Sequence, residues 1–233
     1  MTGMLEITDT DRADYLVRGD LLLTSTRPPS GRAIDAIRIM DVALAAILLV
    51  FLSPIILCVA LLIFALDPGP IFFAHRRIGL GGREFPCLKF RTMRVDADAC
   101  LARLLDQDPA ARLEWHRDHK LRNDPRVTAI GRFLRHWSID ELPQLLNVLS
   151  GEMSLVGPRP IVRSEVERYG RYYSHYCQVK PGVTGLWQVS GRNDVSYRRR
   201  VALDVHYARS QSLALNLWIL ARTVPCVIRG TGC

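Results

Sequence analysis

A chain of 233 residues with 31 Lys and Arg against 23 Asp and Glu, formally +8, is long enough for one domain with a sizeable core. Its mean hydropathy of +0.08 excludes a polytopic membrane protein. Six scattered cysteines without a C-x-x-C pair exclude a disulfide scaffold and suit free thiols in a reducing compartment.

Residues 1–31 mix acidic, polar and Pro-Pro stretches. They are expected to form a disordered tail, leading to an amphipathic approach helix near Ile34–Met40. From Val42 to Leu66, 25 residues follow without a charge, and only Ser53 and Pro54 fall outside the apolar set. As a helix rising about 1.5 Å per residue, this run reaches roughly 38 Å, enough to cross a hydrocarbon core of about 30 Å. It begins too late for a signal peptide and continues into Asp67-Pro68 without a small-residue cleavage site. The central proline predicts a kink, because it removes an N–H and crowds the carbonyl four residues back. Arg27, Arg32 and Arg38 before the run balance Arg76, Arg77 and Arg83 after it, so the flanks cast no vote for opposite sides. A spanning anchor and a helix that enters, bends and returns are both open on these grounds. In the second case the Ser53 hydroxyl would serve backbone groups freed at the bend.

Beyond the run the balance changes. Residues 1–41 carry net −2 and residues 67–233 net +10, which favours anionic partners: nucleic acid, lipid headgroups or phosphorylated small molecules. Ile71–Arg77 and Phe85–Met93 alternate apolar with basic residues around a Gly-rich turn at Gly79–Gly82, which predicts a short β-hairpin. Asp98–Lys120 has helical spacing in Leu101, Leu104, Leu105 and Leu113, broken by Pro109. Leu142, Leu145, Leu146 and Leu149 stripe a short helix ending at Ser150-Gly151. A loop-rich stretch holds Gly157–Pro160 and Pro181–Gly185. Leu203–Tyr207 and Leu213–Val224 close the chain as helices, the last one (with Trp218) suited to a core or to a membrane interface.

Familiar catalytic signatures are absent: no P-loop, no complete G-x-G-x-x-G, no H-E-x-x-H and no serine nucleophile elbow, and His116 and His119 lack suitably spaced partners for zinc. Ser138-Ile-Asp140-Glu141-Leu-Pro143 stands out. Ser138 and Glu141 fit a capping box, while Pro143 favours Asp140 as the N-cap; either way two carboxylates sit at a helix start. That position lowers a carboxylate pKa and leaves an ionised Asp competent as nucleophile or metal ligand. Lys89-Phe-Arg91-Thr-Met93, preceded by Arg76, Arg77 and Arg83, is either a solvated face or a diphosphate-neutralising cluster. Gly157-Pro-Arg159-Pro160 presents one Arg from a stiff loop, and Thr184–Arg192 offers an aromatic face and another Arg.

Taken in order, these blocks closely resemble the bacterial sugar transferase family, the monotopic phosphoglycosyl transferases, in the short exopolysaccharide-initiating form (ExoY type). The resemblance covers roughly residues 32–230, and the 138–160 block, Ser-Ile-Asp-Glu-Leu-Pro through Gly-Pro-Arg-Pro, is its most specific part. It implies an α+β, mostly helical fold: a re-entrant membrane helix (42–66) broken at Ser53-Pro54, and a small cytoplasmic catalytic part (67–233) with a short β-hairpin and interfacial amphipathic helices. It also implies transfer of hexose-1-phosphate from a UDP-sugar to undecaprenyl phosphate with Mg²⁺, releasing UMP and starting exopolysaccharide repeat-unit assembly. By the same resemblance Asp140 is the nucleophile, through a phosphosugar-aspartyl intermediate, and a Mg²⁺ ligand, with Glu141 orienting it or the metal. Lys89, Arg91, Arg135, Arg159 and Arg192 are expected near phosphates and nucleotide. The expected setting is the cytoplasmic face of the bacterial inner membrane, among its lipids, with a homodimer admissible and no nucleic acid. The competing reading is a catalytically silent monotopic protein that binds lipid phosphates or partner enzymes.

Overall fold

In the computed structural model, residues 31–118, 121, 123–191 and 195–228 are described; the expected tail, up to residue 30, and Arg192 lie outside them. The expected approach helix and the apolar run form one continuous helix, α1 (Gly31–Leu66), with Pro54 inside it. Pro54 lacks the N–H that would reach Val50 O, and the Ser53 hydroxyl donates to that same carbonyl at 2.8 Å. The pair thus replaces one rung of the helix without ending it.

Both halves of α1 pack against the same domain. Near its start, Arg38 donates to Val148 O and Leu149 O (2.5 and 2.9 Å), and Asp41 Oδ1 accepts from Leu155 N at 3.1 Å. Ala45 is fully buried among Leu145, Val148 and Leu155. Past Pro54, Val59 and Ile63 are buried with Phe90 and Leu134. Between these docking points the helix is largely exposed around Val50 (76%) and Phe51 (77%), with Leu48, Leu49 and Ile56 still partly packed.

β1 (Phe72–Ile78) and β2 (Glu84–Phe90) form the expected antiparallel hairpin, in register from Phe72↔Phe90 to Ile78↔Glu84. The outer edge of β2 is covered rather than open. Asn147 accepts from Leu88 N (3.0 Å) and donates to Pro86 O (2.8 Å), and Pro86 has no outward N–H to satisfy. The next helical stretch divides at Asp108 into α2 (Ala97–Gln107) and α3 (Pro109–Asp118), Pro109 taking the first helical position. α4 (Ala129–His136), capped by Thr128 accepting from Gly131 N, has no counterpart among the expected elements. α5 (Gln144–Ser150) stops at Gly151, whose φ of +87° is a left-handed cap.

The expected loop region contains a short parallel pair, β3 (Ser154–Val156) and β4 (Gly182–Thr184). Here glycine is required by proximity: a Cβ on Gly157 would lie 2.3 Å from Lys180 O, and one on Gly182 2.0 Å from Gly157 N. Two short helices, α6 (Val166–Tyr169) and α7 (Tyr173–Tyr176), precede β4, and α8 (Leu186–Val189) follows it. α9 (Tyr197–Ser210) and α10 (Leu213–Ile228) complete the fold. Tyr207 from α9 sits between Val156 O (2.8 Å) and Asn216 Oδ1 (2.9 Å). α10 packs one face in the core, where Asn216 and Ile219 are fully buried, and leaves Leu217, Trp218 and Val224 on the other face exposed.

Candidate active site

Asp140 and Glu141 lie on a single 3₁₀ turn, Ile139–Glu141, immediately before Pro143 and α5. The expected capping box does not form. Ser138 adopts φ 56°, ψ 22°, which turns its side chain away from the cap position, and it makes no side-chain cap bond. It is the single non-glycine residue with positive φ among the described residues, a backbone cost of order 1 kcal/mol placed directly before the dyad.

Two frames hold the dyad. Behind it, α4 packs on the 3₁₀ turn and sets Arg135, whose Nε donates to Thr92 Oγ1 at 2.9 Å. In front, the β2 edge fixed by Asn147 brings Lys89 forward. Lys89 Nζ donates to Glu141 Oε1 at 2.7 Å and lies 3.6 Å from Asp140 Oδ2. The Pro-Arg-Pro loop closes the third side. Ile78 N donates to Ile161 O (2.9 Å), and the Tyr176 hydroxyl bonds Ile78 O (2.6 Å), tying that loop to β1. Arg159 Nη1 then stands 4.0 Å from Glu141 Oε1.

The result is a small open recess lined by Arg77, Cys87, Lys89, Glu141, Gln144, Arg159 and Pro160. Three permanent cations face one lining carboxylate, with Asp140 beside them, so the recess keeps a positive surplus suited to an oxyanion. Burial pushes the Cys87 thiol up despite Lys89 and Arg77, so it stays protonated and is a poor nucleophile.

Asp140 corrects an expectation. It is 7% exposed, and burial pushes its carboxyl above the ordinary value of 3.8; Lys89 opposes this most, Glu141 adds to it, and Arg135 and Arg159 oppose it further. Desolvation therefore outweighs the expected lowering at a helix start.

Of the other sequence-predicted residues, Lys89, Arg135 and Arg159 gather around the dyad. Arg91 does not line the recess: it is buried beneath the end of α1, bonded to Asp67 O with Asp67 Oδ2 at 3.4 Å. Ser53 and Pro54 lie in the largely exposed stretch of α1. Arg77, from the basic cluster ahead of the hairpin turn, also lines the recess, and so does Gln144, which no motif singled out.

The two carboxylates converge on one ammonium, and no third Asp, Glu, His or Cys joins them among the described residues. That donor set fits Mg²⁺, which takes one or two carboxylates and completes its octahedron with water and phosphate oxygens.

The profile of the family described as bacterial sugar transferase matches residues 33–230. The chain is 50% identical over 196 residues to the exopolysaccharide production protein ExoY of Sinorhizobium fredii, covering 83% of this chain and 87% of that protein. It is 48% identical over 195 residues to the undecaprenyl-phosphate galactose phosphotransferase of Salmonella typhimurium, covering 84% of this chain but 41% of that longer protein. A UDP-glucose:undecaprenyl-phosphate glucose-1-phosphate transferase of Caulobacter vibrioides is 42% identical over 199 residues, covering 82% of this chain and 69% of its own length.

Proposed function

The chain belongs to the bacterial sugar transferase family, and from that premise we propose that it transfers a hexose-1-phosphate from a UDP-sugar to undecaprenyl phosphate, releasing UMP. The observation that carries this reading is the cationic recess beside the Asp-Glu dyad, its Asp140 buried: Lys89 pairs with both carboxylates while Arg77 and Arg159 face the same space. A nucleoside diphosphate sugar brings two adjacent phosphates, which such a set of forks and one ammonium matches.

In the first step an Asp140 carboxylate oxygen attacks the phosphorus bearing the sugar. The bond from that phosphorus to the bridging oxygen breaks, and UMP leaves with the bridging oxygen and its electron pair. In the second, an oxygen of undecaprenyl phosphate attacks the same phosphorus and Asp140 departs as a carboxylate, giving undecaprenyl-diphospho-sugar. The site residues serve this sequence: Lys89 and Arg135 keep Asp140 ionised against desolvation, and Lys89 and Arg159 offset the repulsion between carboxylate and diphosphate. Mg²⁺ held by Asp140 and Glu141 would supply further neutralisation of phosphate charge when bound.

The same reading makes α1 a membrane dip. Asp41 and Ala45 on one side of Pro54, and Val59 and Ile63 on the other, dock on one domain, so a bilayer between them would have to pass through that domain. The exposed middle around Val50 and Phe51 is left for lipid, and the exposed face of α10 suits the interface. Undecaprenyl phosphate would then reach the dyad from the surface where both ends of α1 lie, taken as the cytoplasmic face of the inner membrane.

Reconstitution in nanodiscs with a panel of UDP-sugars tests this. UMP release is expected to need both one UDP-sugar and undecaprenyl phosphate and to be lost on chelation of divalent cations. No release with any UDP-sugar would favour the silent lipid-phosphate-binding reading instead.

A further inference from the structure

Of the three cations in the recess, Lys89 and Arg159 face the dyad's Glu141, whereas Arg77 answers to a carboxylate outside the site. Arg77 Nη1 lies 3.9 Å from Glu165 Oε2 and donates to Pro160 O at 3.3 Å. Glu165 is itself held on two sides. Its Oε2 accepts from Val162 N at 3.0 Å, closing the turn that follows the Pro-Arg-Pro loop, and its Oε1 lies 3.8 Å from Arg200 Nη1. Arg200 in turn is stacked against Trp187 (4.9 Å) and Tyr197 (5.2 Å), so it cannot follow Glu165 away from this position.

One carboxylate shared between two guanidiniums leaves positive charge uncompensated on the side facing the recess. Burial and the neighbouring Arg159 both press the Arg77 guanidinium below its ordinary value. Two like charges held together in a partly desolvated recess repel until an anion lies between them. Facing each other, Arg77 and Arg159 gain nothing from the pairing until a bound phosphate relieves it.

We propose that Arg77 is a diphosphate-binding residue acting with Arg159 across the recess, and that Glu165 is the positioning residue that holds the Arg77 guanidinium there. This rests on the UDP-sugar reading above, which sets Arg77 beside the diphosphate, and extends it to Glu165, which does not line the recess. Arg supplies the chemistry because its planar fork grips two oxygens at once, and Glu165 supplies preorganisation because a loose Arg surrenders rotamer entropy on binding.

The test measures binding of UDP by isothermal titration to the full chain in nanodiscs, for the parent, Arg77→Met, Glu165→Gln and the double variant. Glu165→Gln keeps an acceptor for Val162 N and removes only the charge. Arg77→Met is expected to weaken UDP binding about ten-fold or more, and Glu165→Gln about three- to five-fold. The double variant is expected to be no weaker than Arg77→Met alone, because Glu165 acts through Arg77. Should Arg77→Met fail to fold, Arg77→Lys, which keeps the charge and loses the fork, is expected to weaken binding to an intermediate degree. Unchanged affinity in a folded Arg77 variant, or losses that multiply in the double variant, would overturn the proposal. If the parent binds no UDP, the UDP-sugar reading fails, and the same variants titrated with inorganic pyrophosphate decide the role of Arg77 and Glu165.

Discussion

Asp140→Asn is expected to lower UMP release by on the order of 10⁴-fold or more, because the amide is the same shape and lacks the nucleophilic charge. Loss of folding is not the expected cause. The carboxyl of Asp140 is raised by burial in the folded state, so its ionised form opposes folding: the penalty is absent below the unfolded value near 3.8 and grows as pH rises through the folded value. Asn carries no such penalty. The variant should therefore melt at or above the parent's temperature at neutral pH, with the gap closing towards pH 4. Dead enzyme together with an undiminished melting temperature separates catalysis from structure. A folded Asp140→Asn protein that releases UMP at a substantial rate would remove Asp140 from the mechanism.

Lys89→Met is the second large effect. Lys89 touches both carboxylates and lines the recess, so its removal is expected to cost about 10²-fold or more in UMP release. It should also move the pH profile. Lys89 is the strongest group holding the Asp140 carboxyl down against burial, so without it Asp140 protonates at higher pH still. Activity that depends on ionised Asp140 is lost as pH falls through its pKa, and the acid limb of kcat/KM should therefore shift to higher pH in Lys89→Met. An acid limb in the same place as in the parent would show that another group sets it.

What the sequence disclosed and what it withheld divide along physical lines. Signals that are local and strong carried through: the uncharged run became α1, the alternating hairpin became β1 and β2 in register, Pro109 divided α2 from α3, and the leucine stripe ended at Ser150-Gly151 as α5 does. The Asp-Glu pair, Lys89, Arg135 and Arg159 could be named from motifs and meet in space. Features made by close approach of distant segments left little trace. Three-residue strands such as β3 and β4 have no periodicity to read, and their pairing depends on Gly157 and Gly182 allowing backbone to touch backbone. Arg91 reads as part of the same basic strand as Lys89, and two residues on it would share that face, but β2 ends at Phe90 and Arg91 goes to Asp67 instead of the recess. The state of Asp140 depends on burial by elements remote in sequence, so a helix-start argument gave the wrong direction. The left-handed Ser138, which undoes the capping box, has the same origin in packing rather than in composition.

The Ser53-Pro54 pair carries the local chemistry expected of it, inside a helix that runs through it. Proline does remove a donor, and the serine hydroxyl does serve the carbonyl it leaves, but the helix continues on both sides. What argues for a dip is the docking of both halves of α1 on one domain, a long-range fact that the balanced arginine flanks only hinted at.

The covalent step at Asp140 is tested most directly by a single-turnover experiment without lipid acceptor: the protein in nanodiscs is mixed with the UDP-sugar that supports turnover, and UMP and intact protein mass are followed together. The expected result is a burst of about one UMP per active protein, a mass increase of one hexose phosphate lost on adding undecaprenyl phosphate, and its location on the peptide containing Asp140. UMP release that begins only when undecaprenyl phosphate is added, with the protein mass unchanged throughout, would contradict it and point to direct transfer between the two substrates.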